Sequence, residues 1–365
     1  MKILFILELY YPNIGGIEKL FKSLAEKLVE EGYSVTIITT RFRKDLPLNE
    51  TINGVKIKRL RISSRFLFTF FGIFGMLKEA RKCYIIHTTS FNAAFPARLA
   101  GWFARKKVII TFHEAWGSLW FRLPFAGFIS KRLFFFYEWF ILHLGFHHYI
   151  AVSDYTADCL ARLGVKKHKI SRIYNGLDYA TYEPGDYTPP DNFVFTYFGR
   201  LGISKGLDII PDAAQDFLES HPDAHLKMII PKRPKGMYRK IRNLLKKIPA
   251  NRITLLHNLR DTDLHKELHH SSCIMIPSYS EGFCFAAAEA IAMGIPLISS
   301  GKGALAEVVS GKHITMESQD GKGLSDALEK AYAGNWEVTP IRRFDFDDTV
   351  RDYLGLYQGY WILDT

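Results

Sequence analysis

The sequence predicts an α/β protein of two Rossmann-like, doubly wound parallel-sheet domains that face each other across a deep interdomain cleft. Three observations carry that expectation. At 365 residues the chain is longer than one hydrophobic core usually serves, so two domains of ordinary size are the natural division. Along it, buried-strand patterns alternate with amphipathic-helix patterns, which is how parallel sheets are built. The alternation stops at a proline-rich polar stretch and starts again beyond it, so there are two arrays.

Lys2–Leu7 has the apolar continuity of a buried strand, and the loop after it ends in Gly15-Gly16. A helix follows, with Ile17, Leu20, Phe21, Leu24 and Leu28 at helical spacing and Gly32 where a helix stops. The β-branched run Tyr33–Thr40 is the next strand, and strand, glycine loop, helix, strand opens a doubly wound domain. Further strands are expected at Val55–Leu60, Ile85–Thr89, Val108–Phe112 and Tyr149–Val152. Ser153-Asp154 then caps a helix over Tyr155–Leu163 that Gly164 closes.

Ile170–Tyr174 leads into the turn signal Asn175-Gly176, and the linker Glu183-Pro184-Gly185-Asp186-Tyr187-Thr188-Pro189-Pro190-Asp191 comes next. The second array has strands at Phe193–Phe198, His225–Ile230, Ile253–His257 and Cys273–Ile276, with helices at Leu207–Ser220, Met237–Lys247 and Thr262–His270. The domains are therefore expected at residues 1–170 and 171–343. A terminal segment, 344–365, has helical spacing at Val350, Leu354 and Tyr357 and is expected to pack back on the first domain.

An apolar share of 48% with 23% charged residues describes a globular chain and excludes disorder. Cys83, Cys159, Cys273 and Cys284 form no CxxC pair and no metal-ligand spacing, so they read as buried thiols of a reducing compartment. Glu8 interrupts the first apolar run, which is thus a strand rather than a signal peptide, and a cytoplasmic protein is expected. The net charge of +11 lies entirely in the first part, where residues 1–150 hold 22 Lys+Arg against 10 Asp+Glu. The same part carries the aromatic runs Arg65–Phe71 and Leu133–Leu142. Either these are core helices flanked by solvated cations, or they meet an anionic membrane surface from its inner face. A transmembrane span is not expected, because Leu133–Ile150 contains Glu138 and three histidines. No nucleic-acid partner is expected.

The most informative segment is Pro277-Ser278-Tyr279-Ser280-Glu281-Gly282-Phe283-Cys284, followed by an alanine-rich helix through Glu289 to Gly294. It reads as a strand end, a glycine turn and a helix N-terminus. That arrangement puts the backbone N–H groups of Gly282, Phe283 and Cys284 where an anion is held. Glu289, a turn inside the helix, can reach the ribose of a nucleotide whose phosphates sit there, and Glu281 can reach what hangs beyond the phosphates. Arg200 and Lys205, between Gly199 and Gly206, follow a strand and precede a helix, so both cations point into the crevice at the strand's carboxyl end.

This paired-glutamate segment resembles that of retaining glycosyltransferases with the GT-B fold, and specifically glycosyltransferase family 4. Further resemblances follow in order. They are Gly15-Gly16-Ile17-Glu18, Ala151-Val152-Ser153-Asp154-Tyr155, Ile173-Tyr174-Asn175-Gly176-Leu177-Asp178, Phe198-Gly199-Arg200-Leu201 with Lys205-Gly206-Leu207, and Gly301 to Val309. The resemblance implies hexosyl transfer from a UDP-, GDP- or ADP-sugar, with no cofactor. The two cations serve the diphosphate without a metal, the acceptor is expected on the first domain because the nucleotide occupies the second, and the basic and aromatic excess there suits a glycan or lipid-linked acceptor. It also implies that His113, after strand Val108–Phe112, lies near the donor sugar, and that Gly15-Gly16 meets the diphosphate. Asn258 and Leu259 match the position that holds the base. The chain departs from the family at His257-Asn258 and Ile229-Ile230-Pro231, where glycines are usual, and at Cys284, where a backbone N–H serves whatever the side chain.

Two rivals share the fold: a nucleotide-sugar epimerase and a non-catalytic binding partner that retains only the architecture. A nicotinamide dehydrogenase is set aside because Gly15-Gly16 lacks the third spaced glycine. Asp345-Phe346-Asp347-Asp348 reads as helix N-terminal charge rather than a metal motif.

Overall fold

The computed structural model describes residues 1–13, 15–182 and 187–362. The Glu183–Asp186 part of the expected linker and the last three residues of the expected terminal segment, Leu363–Thr365, lie outside the described residues. By its contacts the chain forms two units: residues 1–120, 129–176 and 346–365, and residues 121–128 and 177–345.

The first unit runs β1 (Lys2–Ile6), α1 (Gly16–Glu30), β2 (Ser34–Thr40), β3 (Asn49–Ile52), β4 (Val55–Leu60), α2 (Arg65–Phe71), α3 (Ile73–Ala80), β5 (Ile85–Thr89), α4 (Ala94–Ala104), β6 (Lys107–Phe112), α5 (Phe128–Leu142), β7 (His148–Ala151), α6 (Asp154–Arg162) and β8 (Ile170–Arg172). Its sheet has the order β3-β4-β2-β1-β5-β6-β7-β8, so the chain order turns back between β1 and β5. All neighbours are parallel except β3 with β4, a hairpin closed by Asn53-Gly54. Both turn residues have left-handed backbone, with φ of 47° and 79°, as this tight turn requires. β8 closes the other edge, and the passage to the second unit lies at Gly176–Leu177, at the turn signal Asn175-Gly176 and six residues beyond the boundary expected at residue 170.

The second unit runs β9 (Val194–Phe198), α7 (Ile210–Ser220), β10 (His225–Ile229), α8 (Lys235–Leu244), β11 (Ile253–Leu256), α9 (Asp261–His269), β12 (Cys273–Ile276), α10 (Phe285–Ala292), β13 (Leu297–Ser299), α11 (Leu305–Val308), β14 (Gly311–Thr315), α12 (Gly321–Tyr332) and β15 (Glu337–Thr339). The sheet order is β11-β10-β9-β12-β13-β14-β15, parallel but for the edge pair β14–β15. Its third, second and first strands stand on one side of the reversal and the fourth onward on the other. In such sheets ligands bind outside the carboxyl ends of the two strands at the reversal, here β9 and β12.

The last helix, α13 (Phe346–Ile362), belongs to the first unit. Asp347 and Asp348 lie in its first turn, where negative charge offsets the helix dipole. Tyr353 and Tyr357 are fully buried. Tyr357 pairs with His87 Nδ1 of β5, His87 Nε2 meets Thr111 Oγ1 of β6 at 2.7 Å, and Thr111 Oγ1 lies 3.3 Å from the Tyr353 hydroxyl. A polar chain thus runs from the central strands to the terminal helix inside the core. Burial, with the nearby His113 second, pushes the His87 imidazole down to about 3, so the ring is neutral.

The two aromatic runs are not core helices. Phe68 is buried, but Phe70 is 66% exposed and Phe74 on α3 78%. On α5, Leu133, Phe136 and Trp139 are exposed as well. Glu138 does face inward, accepting the backbone N–H groups of Trp116 at 2.9 Å and Gly117 at 2.6 Å. Among the described residues no helix is long and apolar enough to cross a membrane.

The neutral His87 gives the fold a pH dependence of defined sign. Because the folded ring resists protonation, its contribution is complete above the unfolded value of ~6.5 and is lost as pH falls from there toward ~3. Thermal melts of the wild type and His87→Gln between about pH 7 and about pH 4 should show the wild type losing more stability. Parallel losses would mean that this ring does not sense acid.

Candidate active site

The sheet reversal of the second unit gathers three loops. β9 is followed by Gly199-Arg200, and its loop continues to Lys205-Gly206. Gly206 has φ of +65°, and a Cβ there would lie 2.0 Å from the Pro277 carbonyl oxygen, so only glycine lets this loop rest on the one after β12. Tyr279 N–H then donates to the Ser204 carbonyl at 2.6 Å. From the loop after β13, Ser300 Oγ donates to the Ser278 carbonyl at 2.6 Å and Ala304 N–H to the Glu281 carbonyl at 2.8 Å. Gly303, φ +68°, presses on the Glu281 backbone, since a Cβ would stand 2.5 Å from its oxygen and 2.7 Å from its nitrogen.

What these loops hold is one buried carboxylate. Glu281 is 3% exposed; one oxygen lies 2.6 Å from Lys205 Nζ and the other accepts from Ser278 Oγ at 2.6 Å. A carboxylate removed from water persists as a charge only when so paired and hydrogen-bonded. Around it, the charges of Lys205, Glu281 and Arg200 all act on the buried Tyr197 hydroxyl, whose ionisation burial alone already pushes well up. That hydroxyl donates to the Arg200 carbonyl at 3.2 Å, while the Arg200 residue itself is exposed.

Cys284 takes left-handed backbone, φ 80°, at the cap of α10, whose first helical residue is Phe285. Gly282 and the buried Phe283 form the turn leading in, with the Phe283 ring edge-on to Phe285 and Phe344. Burial first, and the Glu281 charge second, hold the Cys284 thiol well above its ordinary range, so it stays protonated. Lys205 and Glu289 also act on that thiol. Glu289 accepts from the Tyr182 hydroxyl at 3.0 Å, and the Tyr182 ring packs 5.2 Å from His265.

Asn258 and Leu259 follow β11, two strands from β9. Asn258 is exposed with left-handed backbone, φ 52°, so it adopts the conformation that the usual glycine would supply. His257 before it is locked, its Nδ1 donating to the Ile230 carbonyl at 2.7 Å and its Nε2 3.2 Å from the Tyr238 hydroxyl. In the first unit, Gly15 is the extended cap of α1 and Gly16 its first residue. His113, just after β6, packs edge-on at 6.2 Å against Phe21 of the same helix.

The sequence pattern singles out Lys205, Arg200, Glu281, Cys284 and Glu289, and the structure gathers them at one end of one sheet. It misses Ser278, Tyr197, Tyr182 and Gly303, which hold or sense those groups. A serine three residues before a glutamate in a turn is the one signal that would have found Ser278. Chemically the cluster offers two cations, a helix N-terminus and two oriented carboxylates, which suits an anion bearing hydroxyl groups. Among the described residues no group of three or more His, Cys, Asp and Glu is placed to hold a metal ion.

Two family models match in tandem, Glycosyltransferase Family 4 over residues 14–181 and Glycosyl transferases group 1 over residues 184–340. One of the subunits of human phosphatidylinositol N-acetylglucosaminyltransferase is 23% identical over 349 residues, covering 90% of this chain and 68% of that protein. An uncharacterized glycosyltransferase of Methanocaldococcus jannaschii is 28% identical over 315 residues, with 85% and 81% covered. Sucrose-phosphate synthase from Thermosynechococcus elongatus superposes with a TM-score of 0.83 at 20% identity, covering 99% of each chain. Anabaena HepE in complex with UDP and glucose gives 0.69 at 16% identity, covering 98% and 100%. The catalytic domain of Arabidopsis thaliana starch synthase IV, bound to ADP and acarbose, gives 0.72 at 16%, covering 98% and 99%.

The close approach of Gly303 to Glu281 is testable against a matched control. Gly334 has a similar φ of +77° but nothing within 4 Å of its would-be Cβ. Gly334→Ala should cost about 1–2 kcal/mol, the left-handed penalty alone. Gly303→Ala should cost clearly more in denaturant melts, because the Glu281 backbone must also move. Equal costs would show that the contact is soft.

Proposed function

The chain belongs to glycosyltransferase family 4 and has the GT-B fold, and from that premise we propose that it moves a hexose from a nucleotide diphosphate sugar to a lipid-linked glycan acceptor, with retention of configuration and without a metal. The observation that carries this reading is the Lys205–Glu281 pair, 2.6 Å apart, at the reversal between β9 and β12 and beside the start of α10.

A leaving diphosphate gains negative charge as the glycosidic bond breaks, and preorganised donors stabilise it most effectively. Arg200, Lys205 and the amides at the turn Gly282-Phe283-Cys284 are assigned to it. Glu281, fixed by Lys205 and Ser278, orients the hydroxyls of the donor sugar. Glu289 exchanges its Tyr182 partner for ribose hydroxyls, and Asn258 and Leu259 meet the base through their backbone. The base is that of UDP, GDP or ADP.

Retention is carried over from the family resemblance, and what these groups do not offer bears on the route by which it would occur. A double-displacement route needs an enzymatic nucleophile. Glu281 is held by two partners and the Cys284 thiol stays protonated, so neither suits that task. In the proposed front-face route, an oxygen of the donor phosphate takes the acceptor's proton as the acceptor oxygen bonds to the anomeric carbon. The acceptor is assigned to the first unit. Its exposed aromatic side chains, set in the basic half of the sequence, favour a lipid-linked intermediate at the inner face of the cell membrane.

A thermal-shift panel with UDP, GDP and ADP tests the donor half. One nucleotide should raise the melting temperature, because a ligand specific to the native state stabilises it by about 2.7 kcal/mol at a hundredfold excess over Kd. The Arg200→Ala, Lys205→Ala double variant should lose that shift. His113→Ala should keep it and lower kcat. The anomeric configuration of the product decides the stereochemistry: inversion would sink the front-face route, and an epimerised donor without acceptor would replace transfer altogether.

A further inference from the structure

On the first unit, at the end of the sheet opposite His113, two hollows share a wall. The larger, about 550 Å³, is lined by Arg98, Trp102, Arg105, Lys106, Lys107 and His147 among others, with no acidic residue. The smaller, about 150 Å³, is an apolar slot between Phe95, Leu99, Trp102 and Leu144, with Arg98 at its rim. Arg98 and Trp102 line both.

We propose that these hollows form a site for one anionic phospholipid of a bilayer, the phosphate in the cationic chamber and the start of an acyl chain in the slot. The inference rests on the membrane reading given above and names the surface that performs it.

Three residues argue for this occupant. Arg98 is pinned where it lines both chambers, its Nε donating to the carbonyls of Leu144 and Gly145 at 3.1 Å each. His147 Nδ1 accepts the Val108 N–H at 3.0 Å, so in the neutral ring the proton sits on Nε2, a further donor. Burial, then the Arg98 charge, keep that ring neutral near physiological pH. Arg105 ends α4 in left-handed backbone, φ 53°, where helices commonly place glycine. A cation is held there against a local backbone preference.

Cations at a helix C-terminus offset the helix dipole without any ligand. That accounts for one or two of them, but not for four beside an apolar slot walled by tryptophan. The surroundings are apolar and outward-facing: Trp102 is 64% exposed, Phe103 is exposed, and Phe95 meets Phe140 of α5 at 5.6 Å between ring centres. Basic residues set among exposed aromatics suit the headgroup level of an anionic leaflet, where tryptophan sits by preference. One shallow apolar contact holds a protein on a membrane only weakly, and a basic cluster beside it supplies the second attraction.

The place is also distinct from the chemistry. Lys107 begins β6 and His113 follows its end, so about 20 Å of strand separates the two. A lipid held here anchors the unit while the carboxyl ends of its strands remain available to an acceptor.

The test is flotation of the full chain with vesicles at physiological salt. The wild type should float with vesicles of phosphatidylcholine containing about a third phosphatidylglycerol and should not float with phosphatidylcholine alone. Arg105→Glu with Lys106→Glu should reduce the bound fraction roughly tenfold, and Trp102→Ser should reduce it as well while weakening fluorescence quenching by brominated acyl chains. Both variants should keep the thermal shift with nucleotide, which shows that they fold and separates this inference from the donor reading. Flotation unchanged in both variants would overturn the site while leaving membrane association intact. No flotation of the wild type would overturn both the site and the membrane reading, though not sugar transfer. Binding to a single-stranded oligonucleotide that matches binding to anionic vesicles, and that the same charge reversals abolish, would also overturn the proposal.

Discussion

The second unit is organised around one carboxylate taken out of water. An unpaired charge at the depth of Glu281 would be too costly to keep, and its two partners come from separate places in the chain, Lys205 after β9 and Ser278 after β12. Bringing them together requires loops to touch backbone to backbone. That is why Gly206 lies on the Pro277 carbonyl and Gly303 on the Glu281 peptide, and why Ser300 and Ala304 stitch the third loop to the one after β12. The charge pair and the glycines are one constraint seen from two sides.

The first unit solves a related problem with a neutral group. His87 stands in a central strand with both ring nitrogens engaged, one by Tyr357 of the terminal helix and one by Thr111 of the next strand. Here the polar atoms are satisfied without charge, so desolvation is tolerated at ordinary pH. The terminal helix is tied further by the Tyr84 hydroxyl, which donates to the Tyr360 carbonyl at 2.6 Å. A buried polar chain of this kind specifies one docking of that helix, whereas apolar contact alone would accept several.

Much of this was legible in the sequence, for identifiable reasons. Parallel strands buried on both faces appear as continuous apolar runs, so β1, β2, β5, β6, β9, β10 and β12 are visible from composition and spacing. The antiparallel edge strand β3 is not, because its residues are half-exposed and its one local sign is the Asn53-Gly54 turn. In the site, the residues of chemical character stand out by type and order. Their supports do not, since Ser278, Tyr182 and Tyr197 are ordinary residues whose meaning comes from a partner far along the chain; the Tyr182–Glu289 bond spans 107 positions. The aromatic helices were ambiguous for another reason. Hydrophobicity reports that Phe70, Phe74 and Trp139 avoid water, but not whether the protein or something outside it covers them.

That ambiguity, once resolved as exposure, separates the tasks of the two units. The cluster about Glu281 is built on one short, largely buried charge pair, Lys205–Glu281, so a bound anion finds a cation already oriented and little rearrangement is needed. On the first unit the cations at the end of α4 stand among exposed aromatic side chains, where attraction is long-ranged, weakened by salt and tolerant of geometry. The first arrangement suits discrimination among small ligands and the second suits retention at a surface. The proposed reaction, from a water-soluble sugar donor to an acceptor confined to a membrane, would need both kinds of electrostatics in one chain, and they are most useful on separate surfaces, where optimising one does not compromise the other.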